Sequence, residues 1–388
     1  ITKDNTNFLF DLKLNLKNNL ILIDFLDYEK KEGVNSILLI KGNLKKNKQL
    51  RFDFINLKEK NNEILIKGLN LSKSFKILDI KSFNINYVNN KKILNKLKLI
   101  KDNSKFIIEG ESFDASRMID NIIDNDDENS SIFENLNSKI KIRIKKTYID
   151  EVNYMNNLKG NIDFNNNKIN FLKLESTFLN QKKINLSVKT NSKSETITQL
   201  SSDYPKPLIK RYNFIEGFEE GYLNFYSSKK GGTSNSVLFL DNFKVQEVPI
   251  FAKLLSLASL QGIADLLTGE GIRFTDFEMN FSNQKGLTTI KEMYAIGPAV
   301  SILMDGYIET NKLISLRGTL VPATTINRSI ASIPLLGKIL IGEKTGEGVF
   351  GVSFKIKGPP KKLKVSVNPI KTLTPRFITR TLDKIKKN

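Results

Sequence analysis

Histidine, cysteine and tryptophan are absent from the 388 residues, so the side chains that most often carry out chemistry are missing. Their absence removes thiolate nucleophiles, disulfides, imidazole bases and the usual zinc ligands together. A catalytic site would have to be built from carboxylates, lysine, serine or tyrosine. Three short clusters contain such groups, or the glycines that bind cofactors, and each has a simpler interpretation.

The cluster nearest to a known motif is GEGVFG at residues 346–351, which matches the G-x-G-x-x-G expression. A dinucleotide-binding loop needs a strand before it and a helix after it, and here the two patterns come in the reverse order. The acidic run at residues 124–128 lacks the glycine and the distant glutamate of a calcium loop. Nothing in the sequence marks a cleft around Glu216, Glu219 and Glu220. The sequence therefore predicts a protein that is not an enzyme, with no cofactor and no metal site.

The formal net charge of +20 comes from 61 Lys and Arg against 41 Asp and Glu. Such an excess would suit binding to nucleic acid or to anionic lipid. The basic residues are mostly lysines interleaved with asparagine and isoleucine along the whole chain, whereas a nucleic-acid interface concentrates them on one face. We therefore favour a compositional bias with solvated strand faces, and predict no nucleic-acid partner.

Strict alternation of apolar and polar residues recurs from one end of the chain to the other, as in strands with one buried face. Short polar turns between the runs favour antiparallel neighbours. The alternation predicts a mainly β fold, an antiparallel meander with a few short helices near the C-terminal end, and by itself suits a sandwich or a barrel. The family resemblance given below implies that the meander is elongated and curled into an open apolar groove. Representative predicted lining positions are Ile142, Ile144, Ile184, Leu186, Val188, Phe350, Val352, Phe354 and Ile356.

Two segments break the alternation and are apolar nearly all round. Residues 249–267 have a favourable proline start and stop before Gly269, and residues 327–348 contain Pro334, which divides two short helical pieces. Both could pack on the apolar sheet face, or they could line or gate an apolar conduit or touch a membrane. The first is too short and too polar to span a bilayer. Their apolar positions are Phe251, Leu254, Leu255, Leu257, Leu260, Ile263, Leu266, Leu267, Leu335, Leu336, Ile339 and Leu340.

Composition separates an N-terminal β-groove portion (1–123) from the rest by a polar linker (124–139). The family resemblance given below divides the remainder into a middle β-groove portion (140–235) and a C-terminal domain (236–388). The first residue is Ile1, and neither a basic segment nor a small-residue cleavage site follows it. We therefore expect the chain to be a piece of a longer protein, in which any signal or membrane anchor would precede Ile1.

Five segments of the C-terminal domain carry a family resemblance. They are VLFLDNFKVQEVPIFAKLLSLASLQGIADLLTGEGIRF (237–274), AIGPAVSILMDGYI (295–308), GTLVPATTIN (318–327), IPLLGKILIG (333–342) and IKGPPKKLKVSVNPI (356–370). In this order and spacing they resemble the AsmA-like C-terminal domain of YhdP-type envelope proteins. Upstream segments at 106–119 and 201–225 are more weakly similar to the same family. Lys361 and Lys362 depart from it, since the family often has an acidic residue and a proline there.

The resemblance implies a protein anchored in the inner membrane of a Gram-negative cell envelope and projecting into the periplasm, without catalytic residues. Members of this group are regarded as bridge-like lipid-transfer proteins that move phospholipid between the inner and outer membranes. We therefore expect non-enzymatic phospholipid transfer along a hydrophobic β-groove, supporting outer-membrane lipid homeostasis, with an inner-membrane anchor upstream and a contact with the outer membrane. The alternative is a structural or assembly factor of the cell envelope that acts through protein–protein contacts.

Overall fold

A computed structural model describes residues 2–3, 7–45, 49–117, 135–210, 217–246, 248–257, 270–322, 351–360 and 362–370. The chain divides into two compact units, residues 1–194 and 195–388. Strands make up most of the described residues, and the prediction of a mainly β, mostly antiparallel meander is confirmed. In neither unit does a pairing among the described strands join the first strand to the last, so neither sheet is closed.

Strands of the first unit follow one another along the chain and along the sheet. They are β1 (Thr2–Lys3), β2 (Asn7–Asn15), β3 (Ile21–Ile23), β4 (Tyr28–Lys30), β5 (Ile37–Lys45), β6 (Leu50–Glu59), β7 (Asn62–Leu71), β8 (Ile77–Asp79), β9 (Ser82–Val88), β10 (Leu94–Asp102), β11 (Lys105–Asp114), β12 (Ser138–Tyr148), β13 (Tyr154–Asn165), β14 (Lys168–Thr177) and β15 (Lys183–Thr190). Short 3-10 helices cover Asp24–Leu26 and Leu179–Gln181.

Pairing in the first unit departs from a simple meander at three places, one of which is that β7 pairs with β9 as well as with the short β8. Strands β3 and β4 form a separate two-stranded sheet, so β2 pairs directly with β5. Strands β11 and β12 run parallel, with Phe106 opposite Ile140, while the other described pairs are antiparallel. A parallel pair needs a crossover connection between its strands. Asp114, which ends β11, and Ser138, which begins β12, therefore lie at opposite ends of the strand pair.

The second unit is an antiparallel meander with two short helices. Its strands are β16 (Thr196–Ser202), β17 (Phe218–Lys230), β18 (Thr233–Val245), β19 (Ile272–Gln284), β20 (Leu287–Ile296), β21 (Val300–Glu309), β22 (Leu313–Pro322), β23 (Gly351–Gly358) and β24 (Lys364–Ile370). Helix α1 (Lys206–Lys210) joins β16 to β17, and helix α2 (Pro249–Leu257) lies between β18 and β19. Each of the nine strands pairs with its neighbour in the chain.

Glycines bring neighbouring backbones unusually close on the apolar side of both sheets. A Cβ atom at Gly160 would lie 2.3 Å from the carbonyl oxygen of Lys173, and one at Gly318 would lie 2.3 Å from that of Leu303. No side chain fits at such a distance. Glycine inside a strand is typical of sharply bent sheets, and the register shift at Phe164 adds a bulge that bends β13 further.

The boundary between the two units lies elsewhere than the predicted part boundaries, which followed residues 123, 139 and 235. The unit boundary follows Ser194. Ser138 and Lys139, in the predicted linker, belong to β12 and pair with β11 and β13. Residues 258–267 of the first predicted apolar helix, the whole of residues 327–348 and the acidic run at 124–128 lie outside the described residues.

Candidate functional site

A continuous row of apolar side chains crosses the first unit's sheet, perpendicular to its strands. Residues opposite one another in an antiparallel register share a face of the sheet, so the row can be followed from β2 to β15. This central row consists of Leu12, Ile40, Ile55, Ile66, Phe83, Leu99, Ile108, Ile142, Gly160, Leu174 and Leu186. Every member is partly buried, and none is fully buried or fully exposed. Ten strand spacings make the row roughly 50 Å long.

The opposite face of the same strands is polar. A row displaced by one residue from the central row carries Lys98, Glu109, Arg143, Lys159 and Glu175 on consecutive strands. All five are exposed, and Arg143 lies 3.2 Å from Glu109. The sheet is therefore amphipathic, as the alternation predicts, and its apolar side chains lie mainly on one side.

A second apolar row lies beside the central row and is covered. Leu57, Ile64 and Ile85 in this row are buried, since residues 16–36 fold over them. We call this segment, which contains β3 and β4, the cover hairpin. Leu26 and Tyr28 of the cover hairpin are themselves buried and pack against that row. This edge of the apolar face is thus closed by the cover hairpin. At the other edge Leu69, Ile80 and Phe106 form a smaller buried cluster, and the central row between the two stays partly exposed.

Polar groups hold the cover hairpin in place. The side chain of Lys30 is 1% exposed, and its Nζ donates hydrogen bonds to the carbonyl oxygens of Leu16, of Lys17 at 3.0 Å and of Asn19 at 2.6 Å. Lys30 has no carboxylate within 4 Å among the residues of known position. Three backbone carbonyls therefore stabilise the buried ammonium group.

Two tyrosines in contact with each other join the cover hairpin to the sheet. The rings of Tyr28 and Tyr87 meet edge to face at 5.1 Å. Tyr87 donates its hydroxyl hydrogen to the carbonyl oxygen of Leu26, and Tyr28 donates to Oε2 of Glu59 at 2.8 Å. Burial raises the pKa of both phenols far above the usual value, with nearby carboxylates adding to the shift. Both hydroxyls therefore remain neutral donors at physiological pH.

A charged cluster completes the anchoring. Nζ of Lys91 lies 3.4 Å from Asp27 in the cover hairpin and 3.3 Å from the buried Asp114 at the end of β11. Asn89 donates to both carboxylates, at 3.2 Å and 2.8 Å. Burial by itself raises the pKa of Asp114, but hydrogen bonds from Ser116, the charge of Lys91 and the Asn89 bond together hold it below its usual range. The cluster connects the tip of the cover hairpin to the sheet through ionised groups.

The second unit has a central row of the same kind. It consists of Leu200, Phe225, Leu238, Met279, Met293, Met304, Gly318, Phe354 and Val367. Met293 and Phe354 are buried and the other members are partly buried. Three methionines on consecutive strands give this part of the row flexible, polarisable side chains, which adapt to irregular apolar surfaces.

Helix α2 covers one edge of the apolar face in the second unit. Leu254 and Leu255 are 2% and 0% exposed and belong to one core with Leu240, Leu320 and Phe354. The row beside the central row, which includes Leu240 and Leu320, is largely buried there. Of the two interpretations of this predicted helix, packing on the sheet describes its observed part.

The predicted lining residues all fall on the apolar faces where their side chains are described, but in different environments. Ile142 and Leu186 belong to the first central row, with Val188 one row away, and all three are partly buried. Ile144 and Ile184 are buried. In the second unit Val352, Phe354 and Ile356 are buried, the last two in the core that contains Leu255.

Other predicted positions carry less structural information. Phe251 of α2 is partly buried, and the side chain of Leu257 is not described. The remaining predicted positions lie outside the described residues: Phe350, Leu260, Ile263, Leu266, Leu267, Leu335, Leu336, Ile339 and Leu340.

The cover hairpin was missed by sequence reasoning, as were the first unit's central-row residues on β5 to β11. The row residues carry the same two-residue alternation as the predicted ones, so that signal could have identified them. Lys30 has no such signal, because nothing in its local sequence distinguishes a buried lysine from an exposed one.

No group of three or more acidic side chains that could hold a metal ion occurs in the described part of the chain. Within that part, no helix is both long enough and apolar enough to cross a bilayer. Comparison with protein-family models, with curated proteins and with solved structures found no match.

Proposed function

We propose that this protein is a non-enzymatic lipid-transfer protein whose central rows hold the acyl chains of phospholipids. The observation that carries the proposal is the first unit's central row, which runs without a polar side chain across eleven strands and is partly exposed throughout. Apolar area left in water costs about 25 cal/mol per Å², so the row gains free energy when an apolar ligand covers it.

An unbroken row also supports movement of the ligand along the sheet. Each step from one strand to the next exchanges one aliphatic or aromatic contact for another, so an acyl chain meets neither a polar barrier nor a deep pocket. At roughly 50 Å, the row is longer than a single acyl chain, so several lipids would fit along it. Such a surface favours passive sliding, whose direction would depend on a gradient or on a partner.

The cellular setting of the proposal comes from the sequence resemblance to YhdP-type envelope proteins. In that setting the protein is anchored in the inner membrane, lies in the periplasm and supplies phospholipid to the outer membrane. The fold observed is compatible with this setting, because a one-faced apolar sheet shields acyl chains from water while headgroups stay solvated.

Adjacent isoleucines on β11 provide a matched test. Ile108 lies in the central row and Ile107 lies on the polar face, and both are partly buried. We expect Ile108→Asp to lower the phospholipid that copurifies with the protein roughly tenfold, because a carboxylate in the row must be desolvated under an acyl chain. Mass spectrometry of extracted lipid measures the amount per protein molecule.

Ile107→Asp is the control and should retain the bound lipid, since its carboxylate faces water. Equal loss in both variants would mean that the substitutions act on folding. A wild-type protein that carries no lipid, and extracts none from vesicles, would exclude the proposed function and favour a structural role in the envelope.

A further inference from the structure

Basic residues concentrate at the ends of the strands opposite the cover hairpin. We define the open rim of the first unit as the two residues of each strand that lie nearest to that end of the sheet, whether they begin or end the strand. The described residues that connect strands at that end also belong to it. It contains eleven basic and two acidic residues of described side chain. The basic residues are Lys45, Arg51, Lys73, Lys76, Lys81, Lys101, Lys105, Lys139, Lys168, Lys189 and Lys193, and the acidic ones are Asp79 and Asp102.

The opposite end of the same strands serves as an internal control for composition. Defined in the same way and including the cover hairpin, this covered rim contains ten basic and nine acidic residues. A general lysine bias would enrich both rims equally. The excess at the open rim is therefore a property of position in the fold.

Acidic neighbours neutralise little of the open rim. Among residues of known position, Lys101 pairs with Asp79 at 2.5 Å and Arg51 lies 3.9 Å from Asp53, while the other nine basic residues have no carboxylate within 4 Å. Most of the basic side chains are exposed. Successive lysines along such an edge create a positive potential that extends about 8 to 10 Å into solution.

The second unit repeats this arrangement. Its strand ends opposite α2 carry seven lysines and two glutamates among the described residues. The lysines are Lys229, Lys230, Lys285, Lys312, Lys357, Lys362 and Lys364, and the glutamates are Glu195 and Glu309. In each unit the central row therefore lies between a protein cover on one side and a basic rim on the other.

We infer that the open rims select amphiphiles with anionic headgroups, such as phosphatidylglycerol, over zwitterionic or neutral ones. An acyl chain on the central row has its headgroup excluded from the covered side and directed to the open rim. There lysines beside almost every strand end follow the row, so an anionic headgroup would meet a basic neighbour at each step. The inference rests on the proposed function and adds to it the charge of the lipid.

The test is extraction of fluorescent lipids from vesicles by the purified chain, comparing phosphatidylglycerol with phosphatidylcholine of identical acyl chains. We expect a preference of roughly tenfold for phosphatidylglycerol at about 50 mM salt, falling towards parity at about 500 mM as the exposed charges are screened. Inorganic phosphate at the lipid concentration should not compete, because it cannot occupy the central row.

A charge-reversal variant localises the effect. The substitutions Lys45→Glu, Lys168→Glu and Lys189→Glu alter three exposed open-rim lysines, none of which lies opposite an acidic residue in its register. They should remove most of the preference. The control variant Lys17→Glu, Lys60→Glu and Lys92→Glu makes the same change in net charge at exposed positions of the covered rim and should keep it. Circular dichroism verifies that both variants fold.

The outcomes separate the inference from the proposed function. The inference would be overturned if the wild type extracted both lipids equally, or if the open-rim and covered-rim variants lost the preference to the same extent. Either result would leave the proposed lipid transfer unaffected. Extraction of neither lipid would reject the proposed function itself. Binding to phosphatidylglycerol vesicles without extraction would indicate that the rim is a membrane-docking surface. Full competition by phosphate would indicate that it is a phosphate site. Either result contradicts selection of lipids by their headgroup.

Discussion

Both units cover one edge of an apolar sheet face, but they do so with opposite chemistry. In the first unit the cover hairpin is held by the buried Lys30, the Tyr28–Tyr87 pair and the cluster around Asp114. In the second, Leu254 and Leu255 of α2 pack against aliphatic and aromatic side chains. A directional polar contact fixes one geometry, whereas an apolar contact tolerates sliding and repacking.

The two covers also leave different amounts of the apolar face accessible. All described side chains of the first central row are partly exposed, while Met293 and Phe354 of the second central row are buried. The polar anchoring of the first unit therefore accompanies an accessible row, and the apolar cover of the second accompanies a partly filled one. We expect the first unit to bind ligand with less rearrangement than the second.

The largest expected effect is the loss of packing under α2. Leu255→Ala removes a side chain that is 0% exposed, and should lower the free energy of unfolding of the second unit by about 2 to 5 kcal/mol through lost burial and the cavity left behind. Chemical denaturation followed by tyrosine fluorescence measures the change. Ser256→Ala, at an exposed position of the same helix, should change stability by less than about 0.5 kcal/mol.

A loss in Leu255→Ala no greater than in the control would mean that α2 is not held by its apolar contacts. The second unit would then not have a cover held by apolar packing, and the contrast with the polar anchoring of the cover hairpin would be wrong.

A smaller effect is expected from the buried lysine of the first unit. Lys30→Met keeps an unbranched apolar stem one atom shorter than that of lysine. It leaves the carbonyls of Leu16, Lys17 and Asn19 without this donor, which should destabilise the cover hairpin by about 2 kcal/mol. Amide hydrogen exchange of residues 21–30 reports the opening of the hairpin. Lys31→Met, at the exposed neighbouring position, should leave exchange unchanged.

Faster exchange across the whole first unit in Lys30→Met would show that Lys30 supports the sheet as well as the hairpin. Unchanged exchange at residues 21–30 would show that its three hydrogen bonds contribute nothing to holding the cover.

The alternating residues were sufficient to predict the sheet, its antiparallel pairing and the face on which Ile142 and Leu186 lie, because a period of two places side chains on opposite faces whatever the tertiary context. They could not predict the parallel pairing of β11 with β12, since it depends on the long connection after Asp114. The division after Ser194 was also missed. The polar run at 124–128 falls in sequence between β11 and β12 of the same unit. A change in composition alone cannot distinguish a connection within a domain from a linker between domains.

The candidate site could be predicted only in part from the sequence, because tertiary contacts determine which apolar residues are covered. Alternation identifies an apolar face but not what covers it, and Ile144 and Ile142 are equivalent in sequence although only Ile144 is buried. Ile144 is a buried member of a cluster that includes Leu26 and Tyr28, which are distant in sequence, whereas Ile142 lies at the border of that cluster. Likewise, the basic rim depends on which ends of the strands lie together, and this follows from strand direction rather than from local composition.

The smallest expected effect distinguishes the two covers by their response to acid. The folded-state pKa of Asp114 is lowered, so its carboxylate contributes stability above the unfolded-state pKa, and that stability is lost as the pH falls below about 4. Hydrogen exchange of the cover hairpin, corrected for the intrinsic effect of pH, should therefore lose protection on acidification. The contact of Leu254 and Leu255 with the sheet involves no ionisable group, so α2 should keep its protection over the same range.

Asp114→Asn removes the charge while it preserves the shape of the side chain, and should make the cover hairpin less protected at neutral pH and insensitive to acid. Its amide can still accept the hydrogen bond that the backbone N–H of Ser116 donates to Asp114 at 3.0 Å, but it loses the ion pair with Lys91. If the variant keeps the acid response of the wild type, another group controls the hairpin. If α2 loses protection in parallel with the cover hairpin, the two covers do not differ in the way that their contacts indicate.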